Sequence, residues 1–148
     1  MPEILIKPLK GKKNFERIFS SGKRFYTYCL GCTVTFCKEE TRDNSIEEKS
    51  SIIYYGLIVT KKISKKAVVR NRIKRLIRES IRQSIRENAE DEFIGKIDAV
   101  LFYWKEPVKY HPKLLKLNKV LDATEELFRK VREYYKLNII NLPPPTPS

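Results

Sequence analysis

Arg70, Asn71, Arg72, Lys74 and Arg75 place four cations and one amide within two turns of a single stretch. A guanidinium offers a planar fork that grips phosphate through two hydrogen bonds and stacks on bases. An asparagine amide both donates and accepts on a base or ribose edge. The chemistry open to such a set is the holding of a polyanion. The same stretch, Lys61 to Arg86, carries eleven Lys or Arg against one acid, Glu79, a net +10. The whole chain carries +13, which leaves +3 for the other 122 residues.

The element that must position these groups is a helix of roughly five to six turns. Val69, Ile73, Leu76, Ile77, Ile81 and Ile85 recur at helical spacing and define one buried face. Arg72, Lys74, Arg75, Arg78, Arg82 and Arg86 fall on the opposite arc, and Ser64 is the expected N-cap. Lys61, Lys62, Lys65, Lys66 and Arg70 crowd the end where the macrodipole is already positive, at a cost of about 0.3–1 kcal/mol for each charge in the first turn. A helix start ringed with cations suits phosphate, because backbone N–H groups, dipole and ammonium ions all point at the anion. The plain alternative, a solvated charged face, normally mixes signs.

Gly56 to Lys62 (GLIVTKK) and Ala67 to Glu79 (AVVRNRIKRLIRE) together resemble the signature of the bacterial ribonuclease P protein subunit. The resemblance implies that the RNA component is the catalyst, with magnesium held mainly by that RNA, and that the protein binds. It implies that Arg70, Asn71, Arg72, Lys74 and Arg75 contact the catalytic RNA. Lys61, Lys62, Lys65 and Lys66 match the family's basic entry to that helix in type, although Ile63-Ser64-Lys65-Lys66 departs from the Gly-containing version common in relatives. It further implies a cleft for the single-stranded 5′ leader of precursor tRNA, lined by Phe15 and Phe19, with Phe36 and Tyr55 or Val59 as wall residues.

Two other function classes compete. A self-sufficient nuclease needs convergent carboxylates for metal ions, or a His pair or His with Lys. The one histidine, His111, lies between prolines and lysines, and the acids gather in loops and helix ends. A ribosomal or chaperone-type RNA binder fits the composition equally well; the Gly56 to Glu79 match separates it from the ribonuclease P reading. The expected partners are the ribonuclease P RNA and precursor tRNA, with neither DNA nor membrane.

At 148 residues the chain is sized for one domain with a modest core, 41% apolar and 33% charged. No apolar run approaches a bilayer span, and MPEILIKPLK lacks a signal peptide's basic start and apolar core, so a cytoplasmic protein is expected. Cys29, Cys32 and Cys37 include a CxxC spacing without a second ligand pair, and read as small buried hydrophobes.

In order, residues 1–13 read as an extended lead-in, and Asn14 as the cap of a short helix, Phe15 to Ser21, closed by Gly22. Phe15, Ile18 and Phe19 form its apolar face, with Ile18 expected in the core. Tyr28 to Cys37 alternates, with Leu30, Cys32, Val34 and Phe36 on one face and Thr33 and Thr35 on the other. Lys38 to Ser51 is a long polar hairpin loop whose acids read as solvated. Ile52 to Thr60 and Asp98 to Trp104 are strands on either side of the basic helix, a βαβ unit. Such units cross over right-handedly in about 98% of cases; the resemblance implies the rare left-handed form. Leu117 to Tyr135 is a second amphipathic helix, and Leu127-Phe128-Arg129-Lys130 also resembles the family. The expectation is an α+β fold, one small, mostly antiparallel sheet packed with helices. One RNA-binding domain spans 14–138, followed by a Pro-rich disordered tail, 139–148.

Overall fold

A computed structural model describes residues 4–36 and 51–140. Five strands form one sheet in the order β1-β4-β5-β3-β2: β1 Ile4–Pro8, β2 Lys23–Tyr26, β3 Leu30–Phe36, β4 Ser51–Ile58 and β5 Ile97–Trp104. Helix α1 spans Lys12–Ser21, α2 Ala67–Glu87, the single-turn α3 Glu92–Gly95 and α4 Leu117–Tyr135. The order β4-α2-β5, with β4 and β5 paired in parallel, is the expected βαβ unit.

The fold is α+β, but the sheet is mixed rather than mostly antiparallel. β1–β4 and β4–β5 are parallel, and β5–β3 and β3–β2 antiparallel. The difference comes from the segment read as a lead-in. Ile4 and Ile6 alternate inward onto the core, so residues 4–8 join the sheet as an edge strand. Pro8, which has no N–H to give, ends that strand at the edge. Gly11 then caps α1 with φ 94°, a conformation that favours glycine, and α1 begins at Lys12 rather than after Asn14. The Asn14 side chain instead donates back to the Lys10 carbonyl at 2.8 Å. β2 is a further strand absent from the sequence reading. Thr27 closes its hairpin to β3, with N–H to the Leu30 carbonyl at 2.7 Å and hydroxyl to the same oxygen at 2.9 Å.

The sheet is covered on both faces. α2 and α4 pack on the face of Cys32, Val34, Ile53, Tyr55, Val100, Phe102 and Trp104, where Ile73, Ile77, Val120, Leu127 and Phe128 complete the larger core. α1 packs on the other face through Ile18, Phe15 and Phe19 against Ala99 and Leu101. Ile18 is fully buried, as its place between the two phenylalanines suggests. Cys29 and Cys32 are buried free thiols, and burial pushes both thiol pKa values up. Cys37, the 38–51 loop (apart from Ser51, the first residue of β4) and the tail from 141 lie outside the described residues. Among the described residues no helix is long and apolar enough to cross a membrane.

Candidate nucleic-acid interface

The turn from β4 into α2 is drawn inward by Ile63, 6% exposed, whose N–H donates to the Thr60 carbonyl at 3.0 Å. Lys61, Lys62, Lys65 and Lys66 are left exposed around it. The helix starts at Ala67, so Lys66 is the N-cap and no side chain caps it. Ser64 serves the preceding turn instead: its hydroxyl accepts the Lys66 N–H at 3.2 Å, and its carbonyl accepts from Arg70 Nη1 at 2.9 Å. The first turn of α2 holds no acid, so orphan N–H groups, dipole and ammonium ions sum without compensation.

Beyond that turn, Asn71, Arg75, Arg82 and Arg86 are exposed in one line, with Arg78 half-buried among them. Glu79 meets Arg82 only at 3.8 Å on an open surface. Lys74 is half-buried at the margin of this ridge.

Arg72 departs from expectation. Its Nε donates to the Pro112 carbonyl at 2.8 Å and its Nη2 to the Leu115 carbonyl at 2.9 Å. The forked edge expected to grip RNA phosphate is spent within the chain, on the 3-10 turn Pro112–Leu114 that precedes α4.

On the α1 face, Phe15 lies over Gly56; a Cβ there would sit 2.7 Å from the Phe15 ring and 2.5 Å from Leu101 Cδ2. Phe19 stacks on Tyr103 with centroids 5.7 Å apart, and Tyr26 meets Tyr103 edge-on at 6.2 Å. Arg24 lies over Phe19 at 5.2 Å and Lys105 over Tyr26 at 4.9 Å. Phe15 and Phe19 are half-buried and Tyr26 is exposed, so this is an open aromatic platform edged by cations. Burial raises the Tyr103 phenol pKa, while its hydrogen bond to Tyr26 lowers that of Tyr26.

Phe36, Tyr55 and Val59 do not join this platform. Register puts Thr35, Thr33, Gly31, Tyr54, Gly56 and Ile58 on the α1 face. Phe36 and Tyr55 therefore point the other way, Phe36 against Tyr134 and Tyr135 of α4, and Val59 joins them in the larger core. The residues in their place are Tyr103, Tyr26, Arg24 and Lys105. The available signal was the small-residue face of Leu30–Phe36, where Gly31 leaves room for an aromatic ring. A Cβ on Gly31 would meet Tyr103 Cε2 at 2.3 Å. We expect Gly31→Val to displace that ring and cost about 1–3 kcal/mol in urea unfolding; an unchanged midpoint would show that Tyr103 does not depend on the gap.

His111 is exposed, and its Nδ1 accepts the Lys113 N–H at 3.1 Å. Among the described residues no three His, Cys, Asp or Glu side chains gather as a metal site.

The Ribonuclease P family profile matches residues 6–132. Curated relatives include the ribonuclease P protein components of Prochlorococcus marinus, 37% identical over 68 residues, and of Rickettsia bellii, 38% identical over 72. These matches cover 45% and 49% of this chain, and 54% and 57% of the relatives, so the chain spans about half the length of the curated relatives it matches. Among solved structures, the RNase P protein of Thermotoga maritima superposes with a TM-score of 0.56 at 18% identity, covering 84% of this chain and 96% of that one. The RNase P protein of Staphylococcus aureus gives 0.54 at 17% identity, covering 83% and 93%. At such identities the structural likeness speaks for the fold alone.

Proposed function

The chain belongs to the Ribonuclease P family, and on that premise we propose that it is the protein subunit of a ribonuclease P holoenzyme. It binds the catalytic RNA through the start of α2 and the 5′ leader of precursor tRNA through the α1 face of the sheet. It thereby promotes endonucleolytic removal of the leader. The observation that carries this reading is the uncompensated cationic start of α2, where Lys61, Lys62, Lys65, Lys66, Asn71, Lys74 and Arg75 stay at least partly exposed and Arg70 gives one edge to Ser64. Such a surface neutralises closely spaced phosphates and carries no cleavage chemistry of its own. Magnesium, the expected cofactor, is assigned in this proposal mainly to the RNA, whose phosphates supply the hard oxygen ligands it takes.

The leader site is the finer part of the proposal. Phe19, Tyr103 and Tyr26 present ring faces and edges with Arg24 and Lys105 beside them, an arrangement that stacks bases without reading their identity. Tolerance of sequence is what a common tRNA-processing step requires.

Phe19→Ala, in protein assembled with the RNA subunit, should weaken binding of leader-bearing tRNA by about 1–3 kcal/mol. Binding of leaderless tRNA should be unchanged. Ile18→Ala is the control: its side chain is fully buried, so it should lower stability by about 2–5 kcal/mol without leader selectivity. Equal losses on both tRNAs for Phe19→Ala would leave the α1 face as core and remove the leader assignment.

A further inference from the structure

The chain's excess charge is not all in α2. Lys105 to Lys119, the connection from β5 into α4, holds five lysines and one acid, Glu106, a net +4. With the +10 of Lys61–Arg86 removed as well, the remaining 107 residues carry −1. Two segments thus hold all the net positive charge, and they are separate in sequence.

The fold ties them together. Val108 is buried, and its N–H donates to the Ile63 carbonyl at 2.9 Å, in the turn that leads into α2. Arg72 of α2 grips the Pro112 and Leu115 carbonyls, and Leu115 is buried at 1% exposure. Trp104 Nε1 donates to the Glu106 carbonyl at 2.6 Å. The apolar residues of the connection anchor it, and its cations are left outside. Lys119 neutralises Glu106 at 3.0 Å, and Lys105 is held by the Thr27 carbonyl at 3.2 Å. Lys109, Lys113 and Lys116 are exposed and form no ion pair among the described residues. Leu114, 66% exposed, lies between the two carbonyls that Arg72 binds.

We infer that residues 109–116 are a second RNA-contact element, fixed beside the start of α2 so that Lys109, Lys113 and Lys116 continue its phosphate-binding surface. The inference rests on the function proposed above. Its ligand is the phosphate backbone of a folded RNA, and the adjoining α2 surface makes that RNA the ribonuclease P RNA rather than the tRNA. Lysines suit the task because point charges on flexible stems follow a backbone without demanding one geometry. A connection needed only to join strand to helix would mix signs, as solvated loops do. Leu114 adds an apolar contact for a ribose or base face.

The test removes the same charge from this connection and from sites outside it. Lys113 and Lys116 lie between β5 and α4, whereas Lys7 is in β1 and Lys136 follows α4, both exposed. The full-length double variants Lys113→Ala/Lys116→Ala and Lys7→Ala/Lys136→Ala are titrated with transcribed ribonuclease P RNA across a salt series. The first should lose roughly tenfold in affinity and flatten the log–log salt slope by about one to two. The second should stay within about twofold of wild type. Thermal melts of both, expected to match wild type, confirm that each variant folds. Equal losses in the two variants, no loss in either, or a loss seen only for precursor tRNA would overturn the inference. Failure of the wild-type protein to bind ribonuclease P RNA would overturn the proposed function itself, so the two failures are told apart.

Discussion

Protein freed of contaminating nuclease should leave precursor tRNA uncut at any magnesium concentration. Mixed with ribonuclease P RNA at low magnesium, it should raise cleavage above that of the RNA alone, because cationic side chains stand in for counterions on the phosphates. The first half follows from what the described side chains do. His111, the one histidine in the sequence, has its Nδ1 occupied by the Lys113 amide. No three potential metal ligands converge, so neither metal-assisted nor His-based hydrolysis has its parts assembled among the described residues.

The second half follows from charge. Lys61, Lys62, Lys65, Lys66, Lys74 and Arg75 form no ion pair among the described residues. If about six phosphate contacts form, binding should fall roughly 10³-fold or more between 50 and 200 mM monovalent salt. On the proposed function, such contacts would at low magnesium replace counterions that the RNA and its substrate otherwise need. Turnover by the protein alone, in a preparation shown free of other nucleases, would sink the assignment of catalysis to the RNA. A flat salt dependence would sink the charge argument.

Helix α2 was legible because its signal is long and redundant. Six apolar residues at helical spacing outvote any single residue, and Ile73, Ile77, Ile81 and Ile85 are buried as that spacing requires. The short strands were not. β1 and β2 have five and four residues, too few for alternation to stand out, and their partners lie in a distant strand or across a hairpin whose tip, at Tyr28 and Cys29, continues the alternating pattern of β3. The strand faces illustrate a different limit. Alternation in Leu30–Phe36 separates Phe36 from Thr33 and Thr35 correctly, but it does not say which helix covers which face. The face with more apolar bulk went to the paired helices α2 and α4, and the face with Gly31, Thr33 and Gly56 went to α1. Phe36, Tyr55 and Val59 therefore lie on the α2–α4 side, while Tyr103 and Tyr26 belong to the aromatic platform beside α1. Similarly, helical spacing put Arg72 on the outer arc, because no spacing rule anticipates carbonyls forty residues further along the chain.

Arg72→Ala should destabilise the protein by about 2–4 kcal/mol, the loss of two charge-assisted hydrogen bonds whose acceptors are left to find water. The acceptors, Pro112 and Leu115, bracket the turn before α4, and the buried Leu115 side chain holds that turn to the core. Loosening should start there. The amides of Leu114 and Leu115, which donate to the His111 and Pro112 carbonyls at 2.9 and 3.1 Å, should exchange with solvent well before the amides of mid-α2. Arg72→Lys keeps the charge but gives one ammonium where two fixed N–H groups met two carbonyls, so it should recover less than half of the loss. Arg75→Ala, an exposed residue one turn on, should change stability by no more than about 0.5 kcal/mol, although its charge is the same. Urea unfolding of the three variants, with hydrogen exchange on Arg72→Ala, separates a structural clamp from a surface cation. If Arg72→Ala unfolds like Arg75→Ala and the turn amides keep their protection, Arg72 is free to serve the RNA as its position in the Arg-Asn-Arg sequence suggests. If the clamp holds, its loss weakens RNA binding by releasing the 109–116 connection as well as by removing a charge, and Arg72→Lys fails on the first count while satisfying the second.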